Sequence, residues 1–177
     1  NILNVCEELY PRTIVLNGVS KAYAMTGWRI GYAGGPASLI KAMKKVQSQS
    51  TSNPAAVSQA AATEALNGDQ SCIQPMLSAF QERHAYLVAA LNKLPGIRCA
   101  EADGTFYAFP DVSELIASLD GVEDDSGLAE FLLNEAGVAV VPGSAFGAPG
   151  YIRLSFATSL DALKEAIKRM EKVLKPK

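Results

Sequence analysis

The sequence predicts an α/β chain whose second part is a compact α+β unit. Three observations carry this. Two β-branched or glycine-bounded runs, "TIVLNG" and "RIGYAGG", precede the first helical pattern. Amphipathic segments with readable start and stop residues follow them. Beyond Pro95-Gly96 the chain alternates short strand runs with helices, the pattern of an α+β unit.

In chain order, "TIVLNG" is a short buried strand closed by Asn-Gly, and "RIGYAGG" is a second strand with glycines where backbones approach closely. The loop between them carries Lys21. Pro36 opens a helix in which Leu39, Ile40, Met43 and Val46 recur at helical spacing. "SNPAAVSQAAATEALNG" predicts another, with Asn53 as N-cap, Pro54 at the first position and Gly68 as the stop. A longer helix runs from about Pro75 to Leu94, with Leu77, Phe80, His84, Leu87, Leu91 and Leu94 on one stripe. His84 on that stripe reads as a core-flanking residue with a satisfied hydrogen bond, since no acidic or nucleophilic partner is spaced to meet it. Then come "GIRC", "GTFYAFPDV", a polar loop "SLDGVEDDSG", a helix from Ser126 to Ala136 stopped by Gly137, the runs "VAVVPG" and "GYIRLSFA", and a final helix. That helix keeps Leu160, Leu163, Ile167, Met170 and Val173 on one face, with Thr158 or Ser159 at its start.

At 177 residues and 49% hydrophobic content the chain can bury an ordinary core. A net charge of −2 gives no broad positive field, and the one basic cluster, "KAMKK", reads as a solvated helix face, so no nucleic-acid partner is expected. The three cysteines are odd in number and far apart, which argues against a disulfide framework or zinc site and for a reducing compartment. With a single histidine, a His-based metal centre is not expected. No apolar run has the length of a membrane span, so neither a membrane partner nor an address other than the cytoplasm is expected. The opening "NILNVCEELYPR" has no initiator methionine and leads within a dozen residues into a strand, the expectation being a fragment.

The chemistry concentrates in "NGVSKAYAMTGWRIGYAGGP". Lys21 and Arg29 are the only charged groups between Arg12 and Lys41. A lysine becomes a covalent catalyst toward an aldehyde when partial burial or a neighbouring cation lowers the pKa of its amine. An arginine approached by small residues suits a phosphate, through its planar fork of donors. Together they describe pyridoxal 5'-phosphate; two ordinary cations facing solvent is the competing reading of the same spacing.

The segment "SKAYAMTGWRIGYAGGP" closely resembles the cofactor-lysine segment of fold-type I aminotransferases, the class I/II family, and in particular its bacterial aspartate aminotransferase branch. The resemblance implies that Lys21 is the Schiff-base lysine and the proton shuttle, and that Arg29 binds the cofactor phosphate. Relatives often carry a hydroxyl three residues before the lysine; here Gly18 stands there, and Ser20 is the nearer candidate. "STSNP", with Ser52 and Asn53, is similar to the segment that closes on a partner subunit's active site, although Asn53 also reads as a helix cap. "GYIRLSFA" resembles the strand whose arginine, here Arg153, clamps a substrate α-carboxylate. Alternation alone, with Ile152 and Leu154 on the other face, is equally met by a surface arginine. "GTFYAFPDVS" resembles the strand bordering the substrate pocket through Phe106 and Tyr107.

The implied architecture is the tail of the large domain of a type I PLP-transferase and the start of a linking helix over residues 1–79, then the small C-terminal domain over 80–177. The implied function is amino transfer between an amino acid, aspartate among the candidates, and a 2-oxo acid. A homodimer is expected of the full-length form, and no activity of this piece alone. A lyase or synthase variant of the same fold stays open, as does an effector-sensing domain of a transcription regulator. Substrate choice is not legible: some aspartate-specific relatives have an arginine four residues before the Ser-Asn-Pro, where this chain has Ser48.

Overall fold

The computed structural model describes residues 2–174. They form two compact units, one reaching to Pro75 and the other starting at Met76.

In the first unit, two 3₁₀ turns, Ile2–Asn4 and Glu7–Arg12, lead into strand β1 (Val15–Gly18). It pairs antiparallel with β2 (Gly31–Gly34) in a register that sets Val15 opposite Gly34 and Gly18 opposite Gly31. The expected pair of strands is present, but β1 is not a buried strand: Leu16 is 73% exposed. A two-stranded ribbon has two faces, and among the described residues no third strand joins it. Gly31 is where the ribbon is tightest, since a Cβ there would lie 3.0 Å from the Asn17 carbonyl oxygen.

Helix α1 (Ala37–Ser50) begins after Pro36 as expected, yet it buries none of its residues, and Leu39, Met43 and Val46 stand exposed along its apolar stripe. Helix α2 (Ala56–Asn67) corrects the predicted cap. Ala55, not Asn53, precedes its first turn, and the Asn53 side-chain amide instead donates to the Pro54 carbonyl. Gly68 ends the helix as predicted, and its N–H closes on the Glu64 carbonyl.

Helix α3 (Ile73–Leu91) starts two residues before the predicted Pro75, which its first turn tolerates because the missing N–H has no partner there anyway. It ends three residues early, because Asn92 leaves the helix to bond both the N–H and the carbonyl of Cys99, each at 2.8 Å. Leu94 is buried nonetheless.

The second unit is built around a three-stranded antiparallel sheet in the order β3 (Tyr107–Ala108), β5 (Ile152–Ser155), β4 (Val141–Pro142). "GIRC" makes only a single bridge, between Arg98 and Asp111. A helix that the sequence reading missed, α4 (Ser113–Ser118), starts where the Asp111 carboxylate accepts the Ser113 N–H at 2.9 Å. Helix α5 (Asp125–Phe131) continues as a π turn, Leu132–Ala136, that Gly137 ends in the left-handed conformation at φ 64°. Helix α6 (Leu160–Val173) opens on Ser159, whose hydroxyl accepts the Ala162 N–H. It packs Leu163, Ile167 and Met170 inward against the π turn, with Glu165 and Arg169 paired at 2.9 Å on its outer face. Leu87 and Leu91 of α3, Leu128, Ile152 and Phe156 complete this core.

Candidate active site

The first unit carries the predicted cofactor lysine on a turn of the β1–β2 hairpin. The Tyr23 N–H donates to the Val19 carbonyl and the Ala24 N–H to that of Lys21, which closes the turn. Tyr23 then anchors it, its hydroxyl donating at 2.9 Å to Gln70, whose amide in turn bonds the carbonyls of Ala65 and Gly68 at the end of α2. The turn is thereby tied to a helix end rather than left as a loose loop.

Lys21 is exposed and Ser20 half-buried. The partial burial that the sequence argument asks of Lys21 is therefore not supplied by the residues described. Arg29 adopts the left-handed conformation at φ 49° just after the 3₁₀ turn Thr26–Trp28, and its Nη1 donates to the Thr26 carbonyl at 3.1 Å. That contact holds one edge of the guanidinium and leaves further N–H groups for an anion. Gly18, where relatives often have a hydroxyl, instead donates its N–H to the Asn17 side chain.

This donor set fits an aldehyde that also bears a phosphate. It offers one primary amine and one guanidinium, and no acidic residue lies between them in the sequence.

Ser52 and Asn53 lie on the exposed turn between α1 and α2. Ser52 takes φ 64°, and its N–H returns to the Gln47 carbonyl.

In the second unit, β5 is the middle strand, with Ile152 and Leu154 buried beneath it and Arg153 half-buried on the opposite face. The Arg153 guanidinium carbon is 4.3 Å from the Tyr107 ring centre and 4.5 Å from that of Phe146. Such contacts favour arginine through both charge and stacking. The aromatic group continues to Phe109, edge-on to Phe146 at 6.2 Å and stacked on Tyr151 at 5.2 Å. Among the described residues no acidic side chain pairs with Arg153. Phe106, the other predicted substrate contact, sits one residue out of phase with Tyr107. Its ring neighbours are Phe80 at 6.4 Å and Tyr107 at 4.3 Å, so it meets the core side of the strand while Tyr107 meets Arg153. His84 has the satisfied bond expected of it, its Nε2 accepting the Ala102 N–H at 3.1 Å.

Sequence reasoning missed Phe146 and Asp125. Phe146 lies on a 3₁₀ turn, Gly143–Phe146, hidden in what reads as the end of a strand. Asp125 lay inside the supposed polar loop. The signal was its doublet with Asp124: one carboxylate suffices to cap α5, and Asp124 does so by accepting the Gly127 N–H at 2.7 Å.

Neither of the two largest clefts is lined by any of these residues. One, of about 650 Å³, is lined by α4 and the ends of α5 and α6; the other, of about 580 Å³, lies along α1 beside Leu39, Met43 and Val46. Chemistry rather than size therefore singles out the candidate site.

The family model "Aminotransferase class I and II" matches residues 2–170. The chain belongs to this family. Among the aminotransferases it resembles, an aspartate/prephenate aminotransferase from Nitrosomonas europaea is 57% identical over 98% of this chain and 45% of its own length. An aspartate aminotransferase from Bacillus sp. is 48% identical over 99% of this chain and 44% of its own. In structure, the chain matches the aspartate aminotransferase of Rhizobium meliloti with a TM-score of 0.94 and 44% identity, over 99% of this chain and 45% of that one. The expected α/β aminotransferase fold is thereby shown, and the chain spans a little under half the length of these relatives.

Proposed function

We propose that this chain is the C-terminal portion of a pyridoxal-phosphate-dependent aminotransferase, one that moves an amino group between an amino acid and a 2-oxo acid. Residues 1–79 are the tail of its large domain and the start of the linking helix, and 80–177 its small domain. The observation that carries the reading is Arg153. A guanidinium with aromatic rings beside it and no acidic partner is prepared to take a carboxylate edge-on through two parallel N–H bonds, the group that every amino acid and 2-oxo acid substrate shares.

Arg29, with Ser20 nearby, holds the cofactor phosphate. Lys21 holds the cofactor through its Nζ and, once displaced by substrate, takes the proton from the substrate α-carbon at that same nitrogen. When bound, pyridoxal phosphate supplies the electron sink that makes this proton removable. Arg153 orients the substrate by its carboxylate, with Phe106 bordering the pocket. Ser52 and Asn53 serve the active site of a second subunit in a homodimer. Aspartate is a candidate substrate because the relatives are named for it. All the relatives reported above are named as aminotransferases, and nothing in this chain favours the regulator reading.

The test is a separation of roles in the full-length protein. Arg153→Ala should raise KM for both the amino acid and the oxo acid by about 10- to 100-fold, the range for losing one charge-assisted pair, and leave cofactor affinity unchanged. Arg29→Ala should weaken cofactor binding instead. Equal loss of cofactor in both variants would overturn the assignment.

A further inference from the structure

Asp125 is only 2% exposed, yet it is a carboxylate with no cation paired to it among the described residues. Burying a charge in this way is unfavourable unless polar groups solvate it. Apart from its own N–H, those groups come from one loop. Oδ2 accepts the Ser144 N–H at 2.7 Å, Oδ1 accepts the Gly150 N–H at a longer 3.5 Å, and the Ser144 hydroxyl adds a further contact. Helix α5 does not require this carboxylate, since Asp124 caps it.

The loop so held is the one that carries Phe146. Its interior is closed by the Gly147 N–H on Ser144 and the Ala148 N–H on Gly143. It is seated on the sheet by the Gly143 N–H, which reaches the Tyr151 carbonyl at 2.7 Å. Gly143 admits no side chain, since a Cβ there would lie 2.3 Å from the Ala148 carbonyl oxygen. The bond from Asp125 to Ser144 is thus fixed two residues before Phe146, whose ring stands 4.5 Å from the Arg153 guanidinium.

We infer that Asp125 is a positioning residue: through Ser144 it sets the loop that holds Phe146 against Arg153, and so orients the guanidinium that receives the substrate carboxylate. The inference rests on the proposed role of Arg153. An arginine has many rotamers, and a rigid ring beside it selects few of them, so a buried anchor behind the ring lowers the cost of ordering the guanidinium when substrate binds.

The experiment uses the full-length, cofactor-loaded protein. Asp125→Asn keeps the size of the side chain and removes the charge. It should raise KM for amino acid and oxo acid alike by about tenfold, with kcat and cofactor affinity unchanged. Ser144→Ala, at an exposed position that folding tolerates, should raise both KM values by about two- to threefold. In a Phe146→Ala background Asp125→Asn should add nothing further, because its effect passes through that ring. A purely structural Asp125 would lower the active fraction, and with it the apparent kcat, without moving KM.

Unchanged KM in Asp125→Asn overturns the inference, as does an Asp125→Asn effect that persists in full without Phe146. Should Asp125→Asn fail to fold, unchanged KM in Phe146→Ala overturns it equally, since the effect is argued to pass through that ring. Arg153→Ala separates the two levels: if that variant leaves KM unaltered, the carboxylate role itself is wrong and the inference falls with it, whereas a raised KM there beside unmoved Asp125 and Ser144 variants defeats the positioning role alone.

Discussion

Lys21 is the residue on which the proposed chemistry turns, and it is distinguished by its surroundings rather than by its charge. Lys41, Lys44 and Lys45 lie together on α1, while Lys21 stands alone on a hairpin turn anchored through Tyr23. Borohydride treatment of the cofactor-loaded full-length protein followed by peptide mapping should therefore place the covalent label on Lys21; a label on any of the α1 lysines would refute it. Asp125 supports a second residue-level prediction. Burial by itself would raise its pKa, but the Ser144 N–H and hydroxyl, with the Gly150 N–H, hold it below the ordinary carboxylate value. A folded-state pKa below the unfolded value, about 3.9, stabilises the protein fully above that value and loses the contribution as pH falls through the folded one. Denaturant titrations should show wild type more stable than Asp125→Asn at pH 7, by about 2 kcal/mol for a charged hydrogen-bonded anchor, with the gap closing below about pH 4. A gap that stays constant down to pH 2 would contradict the ionised carboxylate.

At the scale of elements, the second unit depends on turns that only particular residues permit. Gly96, beyond the end of α3, takes φ 71° and lies so close to α4 that a Cβ would lie 2.6 Å from the Leu115 backbone nitrogen. Gly96→Ala therefore meets both a left-handed backbone and a backbone clash, neither of which a flexible side chain can relieve. It should destabilise by about 3 kcal/mol or more, read as a lowered denaturant midpoint. Gly137→Ala shares the positive φ, but its Cβ would touch only the Arg169 side chain at 3.4 Å, so it should cost about 1 kcal/mol. If the two substitutions cost the same, the backbone contact at Gly96 is not what limits that site.

For the whole molecule, burial is divided unequally. Of the buried apolar residues among those described, only Val19 and Ala62 belong to the first unit, while the others form the core of the second. Limited proteolysis of this chain alone should accordingly cut the first unit early and leave a resistant piece that begins near Met76. Early cleavage within α5 or α6 would refute this. The chain spans a little under half the length of its relatives, and cofactor chemistry needs protein groups around the ring as well as a lysine and a phosphate anchor. The isolated chain should show no measurable transamination when given cofactor, an amino acid and an oxo acid, with product followed directly; robust turnover would show that Lys21, Arg29 and Arg153 suffice.

The sequence by itself determined what depends on short-range pattern: the two strands flanking Lys21, the stop residues Gly68 and Gly137, a hydroxyl cap at Thr158 or Ser159, and the family carried by "SKAYAMTGWRIGYAGGP". Local spacing and backbone preference act within a few residues, so a string of letters records them. Where a residue's role is set by a partner far along the chain, the letters are silent. "EDDSG" reads as loop until Asp125 is found bonded to Ser144, nineteen positions on. Arg153 reads only as an alternating strand residue, and the rings of Tyr107 and Phe146, from two other elements, are visible beside its guanidinium only in the fold. Tertiary structure decided these because burial, which makes a carboxylate seek N–H groups and a guanidinium seek a ring, is a property of the packed chain and not of any segment of it.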